Sequence, residues 1–354
     1  MNHAKKRNTV LALITATQVA LGAPPSGYIY PEAEWVTASP ESQGVNSIVL
    51  NDAVNNLKKK MNADEVLVVR RGRVIHRGSK SKSQHRVWSA AKSFTSTVLG
   101  VLIDQKKLTI DEKAHKFESS LKSKYPNVTF RHFATMTSGY DAQGGSYGPG
   151  SQDGSSTPFK VANPLFSPGT HTSYWDDAMN MFGQSLSKVA GKNFALVFDA
   201  EIAKKIGIKK YKWPVAFSGV SSGSGNKAGL EISADEMARL GHLFLSEGNW
   251  NGVQVLSREW VRDASQIQVS ASVPSHKTTQ NTGLPGKYGY NWWVNGPQKK
   301  IFSSATEKTF SAIGAKGNYC IIIPEWDMVI VRLGTEGTSA PMNEFLKKLS
   351  TGIK

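Results

Sequence analysis

Short apolar runs at both ends of the chain, with helical periodicities between them, give the first picture of this sequence. Glu65-Val66-Leu67-Val68-Val69-Arg70 and Arg73-Val74-Ile75-His76 are joined by Arg71-Gly72. That pattern predicts a β-hairpin on a tight glycine turn. After residue 285 the strand pattern returns in Tyr288–Val294, Asn318–Ile323 and Met328–Leu333, and Pro341–Leu349 reads as a closing helix. Between these ends, apolar residues recur at helical spacing over 177–189, 193–205, 233–246 and 257–266, and earlier over Asn51–Met61. A further helix runs from Ser89 to about Asp104, with Phe94, Val98, Val101 and Leu102 on its apolar face. It carries few charges after Lys92, so it is expected to be buried on much of its surface. The whole predicts an α+β fold: one antiparallel sheet built from both ends of the chain and flanked by helices, with an inserted all-helical region. The expected division is a sheet part at about 23–104 and 285–354 and a helical part at about 105–284.

Composition narrows this picture. With 354 residues, 39% hydrophobic and 9% aromatic, the chain can bury a large core as one domain. Its formal charge is +16. The lysines are spread along the chain, with no basic run interleaved with aromatics, so nucleic acid is not an expected partner. Weak attraction to an anionic envelope stays open, and the oligomeric state is not set. The single cysteine, Cys320, sits in an apolar run and reads as a buried, inert thiol. The histidines are scattered and give no zinc pattern. Lys5, Lys6 and Arg7 precede an uncharged apolar stretch from Val10 to Gly22, and Ala20-Leu21-Gly22 offers small residues at a cleavage site. Residues 1–22 therefore read as a signal peptide, and the mature protein as periplasmic or secreted. Residues 139–160, rich in Gly and Ser and carrying Tyr140 and Tyr147, read as a long functional loop, a lid over a cleft.

The candidate chemistry starts at Ser89-Ala90-Ala91-Lys92. Residues three apart on a helix share a face, so the lysine can reach the serine hydroxyl. At a helix start, backbone N–H groups favour developing negative charge. The lysine serves as base if burial favours its neutral form. The plain alternative is a helix start with a capping serine. Tyr174, in Ser173-Tyr174-Trp175-Asp176, can shuttle the nucleophile's proton if a lysine beside it holds it partly deprotonated, or it is a core aromatic. In Phe310–Gly317 small residues let a strand edge approach a substrate and offer a backbone N–H to an oxyanion. Gly219-Val220-Ser221-Ser222-Gly223 mimics a nucleophile elbow, but it lacks the flanking strand and helix. His132 and His171 read as structural.

In these motifs, and in their order, the chain resembles the serine hydrolases of the β-lactamase and penicillin-binding-protein fold. The branch it is most similar to holds the family VIII carboxylesterases and 6-aminohexanoate-dimer hydrolase. The resemblance runs from about Ser39 to Leu333. Ser89-Ala90-Ala91-Lys92 matches the nucleophile motif, and 129–139 matches the segment ending Met136-Thr137-Ser138-Gly139. Tyr174-Trp175-Asp176 falls where the family has Tyr-x-Asn, 229–241 looks like the helix closing the helical region, and Gly314–Pro324 looks like late sheet strands.

The resemblance implies a nucleophile at Ser89, with Lys92 and Tyr174 as general base. It implies an oxyanion hole from the N–H groups of Ser89 and Ala315, and no cofactor or metal. Gly314, Asp176, Tyr140 and Trp292 complete the expected substrate-binding set. Two departures matter. Asp176 replaces the usual asparagine and puts a negative charge near Lys92, which favours Tyr174 as the working base. Ala312-Ile313-Gly314 stands where β-lactamases carry Lys-Thr-Gly, which argues against efficient β-lactam turnover, although Lys308 and Lys316 lie close in sequence. The expected activity is hydrolysis of a carboxylic ester or linear amide. A D-alanyl-D-alanine peptidase, a weak β-lactamase and a non-catalytic binding module of the same fold are the alternatives.

Overall fold

The computed structural model describes residues 27–144, 157–214, 229–277 and 283–354. The N-terminal segment 1–22, the Gly219–Gly223 motif, Tyr147 and most of the 139–160 loop lie outside the described residues. In chain order the elements are β1 (Val36–Thr37), α1 (Ser47–Lys60), β2 (Val66–Arg70), β3 (Arg73–Arg77), β4 (His85–Arg86), α2 (Ala91–Asp104) and α3 (Phe130–Ala134). Then come α4 (Asp176–Ala190), α5 (Phe194–Phe198), α6 (Lys204–Ile206), β5 (Tyr211–Lys212), β6 (Glu231–Ile232), α7 (Ala234–Leu245), β7 (Asn249–Trp250), β8 (Val253–Gln254) and α8 (Arg258–Ala264). The last are β9 (Trp293–Val294), β10 (Phe310–Gly314), β11 (Asn318–Ile323), β12 (Met328–Arg332) and α9 (Ser339–Ser350).

Strands from both ends of the chain form one seven-stranded sheet in the order β1-β3-β2-β12-β11-β10-β9. It is antiparallel except that β1 runs parallel to β3, so it is mixed at one edge. The β2–β3 turn has Arg71 at φ 50° and Gly72 at φ 82°, the left-handed pair of a two-residue hairpin turn. Both faces of the central strands are covered, which explains their unbroken apolar runs. Val66, Val68, Ile321, Ile323, Met328 and Ile330 face α1 and α9. Leu67, Val69, Ala312, Ile322, Val329 and Val331 face the larger helical core. Gly241 lets α7 lie close on this face, because a Cβ there would come within 2.6 Å of Val329 and 2.8 Å of Cys320. Cys320 is buried, and burial pushes its thiol up, which keeps it protonated.

The helical region carries more than helices. β4, β6 and β5 make a small sheet, and β7 and β8 a hairpin. The expected helix over 193–205 is α5 and α6 joined by a π-turn at Asp199–Ala203. The expected strand Tyr288–Val294 shrinks to β9, because 288–292 turns back on itself with Asn291 at φ 56°. At the centre lies α2, with every residue from Ala91 to Leu102 buried. It packs on α4, α5 and β10, so it joins the helical core to the sheet.

Candidate active site

Ser89 sits on a sharp turn, Trp88–Ala90, that feeds directly into α2. Trp88, the residue before it, has φ 51°, a left-handed conformation that a bulky residue adopts only under constraint. Two cations lie over its ring, the Arg86 guanidinium at 4.9 Å and the Lys316 side-chain nitrogen at 5.3 Å from its centre. The turn is also tied to β6 side by Val87 N–H donating to Leu230 O at 3.0 Å. The serine is half-buried.

One helical turn along, the Lys92 ammonium donates to Ser89 Oγ at 2.8 Å. The same ammonium lies 2.7 Å from Asp176 Oδ1, and the two side chains are only 1% and 3% exposed. This contact is an ion pair rather than a well-directed hydrogen bond. Asp176 opens α4, where the free N–H groups of the helix favour a carboxylate. Lys92 also stands 4.8 Å from the centre of the Tyr174 ring.

Tyr174 is positioned from two sides. Ser173 N–H donates to Met136 O at 2.9 Å, which docks the strand-like lead into α4 on the Met136–Gly139 segment. Trp293 stacks on the Tyr174 ring, with centroids 5.9 Å apart and planes at 28°. Burial pushes the Tyr174 phenol above its ordinary range; a hydrogen bond with Ser89 pulls it down, and the Asp176 charge pushes it up again. It therefore rests as a neutral phenol, unlike the partly deprotonated shuttle that is one of two readings of the sequence. Tyr288 is also fully buried nearby and is held protonated by burial and by Tyr174.

The third wall is the end of β10. Gly314 is pressed against the nucleophile turn: a Cβ there would lie 2.0 Å from Val87 O and 3.1 Å from Ala90 N. Only glycine allows this approach, and the exposed Ala315 is the next residue of the wall. The Ala315–Gly317 turn is fixed by side chains from beneath. Asn318 Nδ2 donates to Ala315 O at 2.7 Å, and Arg332 Nη1 donates to Lys316 O and Gly317 O, each at 2.9 Å.

Of the residues expected from the sequence, Ser89, Lys92, Tyr174, Asp176, Gly314 and Ala315 come together here. Tyr140 and Trp292 do not. Tyr140 is 1% exposed, packs against Tyr125 and Phe133, and donates to Pro158 O at 2.7 Å. It anchors the neck of the 139–160 loop, whose two ends are joined by Gln143 N–H to Lys160 O and Ala162 N–H to Asp141 O. Trp292 is fully buried between Phe244 and Phe310. Its neighbour Trp293 takes the place at the site. Two adjacent tryptophans in an apolar run give no sequence signal for which one faces a cleft. His132 caps α3 through Thr129, and His171 packs with Phe166 and His276, so both serve local structure.

Comparison with known proteins places this arrangement. The chain is 21% identical over 276 residues to an uncharacterised protein of Alkalihalophilus pseudofirmus, covering 72% of this chain and 75% of the relative. Its fold is shared with a family VIII carboxylesterase structure at TM-score 0.68, with 13% identity over 91% of this chain and all of the other. A protein of Bacillus anthracis assigned as a 6-aminohexanoate-dimer hydrolase matches at TM-score 0.66, with 18% identity over 92% of this chain and 89% of that one. A family model described as beta-lactamase spans residues 50–349, from α1 through the Ser89 turn and the β10 wall to α9, and by that match the chain belongs to the beta-lactamase family.

Proposed function

We propose that this chain is a serine hydrolase that cleaves a carboxylic ester, with linear amides as its second substrate class, through an acyl-enzyme on Ser89. The observation that carries the reading is the 2.8 Å contact between Lys92 Nζ and Ser89 Oγ inside a buried cluster. A merely capping serine has no use for a fully buried ammonium and a buried phenol converging on its hydroxyl.

In this reading Ser89 Oγ attacks the substrate carbonyl carbon while its proton passes to Lys92. Burial keeps Tyr174 a neutral phenol, so it acts with Lys92 as one proton-sharing unit and donates to the leaving oxygen or nitrogen. The N–H groups of Ser89 and Ala315 receive the oxyanion. Water then attacks the ester of Ser89, with the same pair returning the proton. The apolar strand end at Ala312-Ile313-Gly314 carries no cation, which supports esters and amides over β-lactams. The names of the carboxylesterase and dimer-hydrolase structures support the same substrate classes. The basic and then apolar stretch to Gly22 supports export to the periplasm or beyond.

The test is Ser89→Ala assayed on p-nitrophenyl butyrate and on a linear amide, with intact mass measured after fluorophosphonate treatment. Loss of both hydrolysis and the adduct is expected. Full hydrolytic rate in Ser89→Ala refutes the reading. Adduct formation without turnover on any ester, amide or cephalosporin favours the binding-module alternative.

A further inference from the structure

The acylation steps above leave one charged group of the cluster unused. Asp176 touches Lys92 at 2.7 Å, yet it stands in neither the nucleophile nor the oxyanion role. Its presence poses a proton problem. Lys92 Nζ is paired with the Asp176 carboxylate at 2.7 Å and donates to Ser89 Oγ at 2.8 Å, the contacts of an ammonium. An ammonium cannot take the serine proton unless it gives one up. Buried from solvent, it can give that proton only to a neighbour. Among the described residues the neighbours are few. Tyr174 and Tyr288 face the pair as phenols, which already carry their protons. Asp177 is the next residue of α4, while Asp104 and Lys188 lie at the far ends of α2 and α4, about 18 Å along the helices. Asp176 is the carboxylate in contact.

We propose that Asp176 is the proton store of this site, taking the proton that Lys92 releases as Lys92 accepts the proton of Ser89. The inference rests on the reading of Ser89 as nucleophile. The step balances. The O–H bond of Ser89 breaks and its electron pair forms the C–O bond to the substrate carbonyl carbon. The carbonyl π pair becomes the oxyanion. The serine proton bonds to Nζ, and one Nζ proton bonds to an oxygen of Asp176. The negative charge has moved from Asp176 to the oxyanion, and Lys92 remains an ammonium throughout. When the oxyanion collapses, Lys92 or Tyr174 protonates the leaving group, and the Asp176 proton returns to the unit. The net charge of the cluster and the bound substrate together is unchanged, which avoids the desolvation cost of an isolated buried ion. Asp176 acts through Lys92 and is therefore a positioning and proton-holding residue.

The consequence is a pH signature. A lysine that works as a free base must first lose its proton to solvent, so the rate climbs with pH. A lysine backed by a carboxylate starts in its protonated form and needs no such loss. The wild-type protein is expected to show kcat/KM on p-nitrophenyl butyrate that is flat from about pH 6 to about pH 9. Asp176→Asn keeps the shape and an acceptor oxygen but removes the store. It is expected to lose about 100-fold at pH 7 and to recover progressively in alkaline buffer. Asp176→Glu, which restores a carboxylate, should restore the flat profile at a reduced rate. Near-UV circular dichroism verifies that each variant is folded, and the Ser89 adduct is followed by mass at each pH.

A wild-type profile that climbs through the alkaline range overturns the proposal whether or not the variants fold. So does an Asp176→Asn protein that is as fast as wild type at pH 7, or faster, since the carboxylate then only holds Lys92 back. Absence of any Ser89 adduct in the wild-type protein is a different result: it refutes the nucleophile itself.

Discussion

Gly314→Ala is the sharpest test of how the sheet builds this site. Gly314 has ordinary extended backbone, φ −122° and ψ 158°, which any residue adopts, so the substitution adds no backbone strain. Its whole effect is one methyl group. That methyl would sit 2.0 Å from Val87 O, whereas ordinary Cβ contacts are 3.4–4 Å. The neighbour is backbone: Val87 O accepts from Ala90 N–H, and the Val87 N–H donates to Leu230 O, so it cannot rotate away. The β10 end and the Ser89 turn must therefore part by more than 1 Å. Overpacking of this kind costs about 1–3 kcal/mol of stability. Displacing a reacting geometry by about 1 Å costs on the order of 100-fold in rate. The expected result is a folded protein with a lowered melting temperature. Its kcat/KM on a p-nitrophenyl ester and its rate of fluorophosphonate labelling at Ser89 should both fall about 100-fold. If both rates stay within about threefold of wild type, Gly314 does not hold the two walls in register, and the oxyanion role of Ala315 falls with it.

Two further outcomes follow from burial. His242 is fully buried, its Nε2 bonded to Ile29 O at 2.9 Å and its Nδ1 without a hydrogen-bond partner among the described residues, and burial pushes its imidazole from 6.5 down to about 4. A lowered value means the folded state resists protonation, so this contribution is complete above pH 6.5, is lost as pH falls from there to about 4, and loses nothing more below. The loss amounts to about 3 kcal/mol, and the gap in urea stability between wild type and His242→Gln should shrink by that much from pH 7.5 to pH 4; parallel curves would count against it. The two adjacent tryptophans should separate cleanly. Trp292→Ala is expected to cost about 3–5 kcal/mol of stability, whereas Trp293→Ala should leave stability within about 1 kcal/mol and lower kcat/KM for aromatic esters about tenfold. The reverse pattern would mean that Trp293 does not wall the cleft.

Much of this was readable from the chain because the signals were local. The Ser89–Lys92 spacing is a property of one helix turn, and the unbroken apolar runs of β2, β11 and β12 reflect burial on both faces. The acidic departure at 176 was legible as a charge near Lys92, and the structure shows that charge as a 2.7 Å ion pair. What was not legible depends on which way a turn rotates. Tyr288–Val294 looks like a strand, but Asn291 at φ 56° bends it and sends Trp292 into the core while Trp293 stacks on Tyr174. Tyr140 looked like a lid residue, but its hydroxyl finds Pro158 O across the neck of its own loop. The protonation of Tyr174 was also out of reach, because it is set by burial under residues more than a hundred positions away.

Arg332 shows how the fold fixes a site that it does not itself enter. It is fully buried on β12 and donates to the carbonyls of Asn62, Lys316 and Gly317. A buried cation is costly: its hydrogen bonds go to neutral carbonyls, Glu65 and Glu336 act on it through their charge, and among the described residues Nη2 has no hydrogen-bond partner. Such a group persists where it holds several chain segments in one arrangement. Here it is also walled by glycines: a Cβ on Gly317 or Gly334 would come within 2.8 Å or 2.7 Å of the guanidinium. The turn after β10 thus has no room to slide, and Lys316 keeps its left-handed φ of 65° although its side chain is exposed. The nucleophile turn is held as firmly from the other side, through α2 in the helical core. Gly314 against Val87 O is where the two held pieces meet. Ser89 and Ala315 therefore owe their relative position to two separately packed frames, which is why one methyl group at their seam should reach the chemistry.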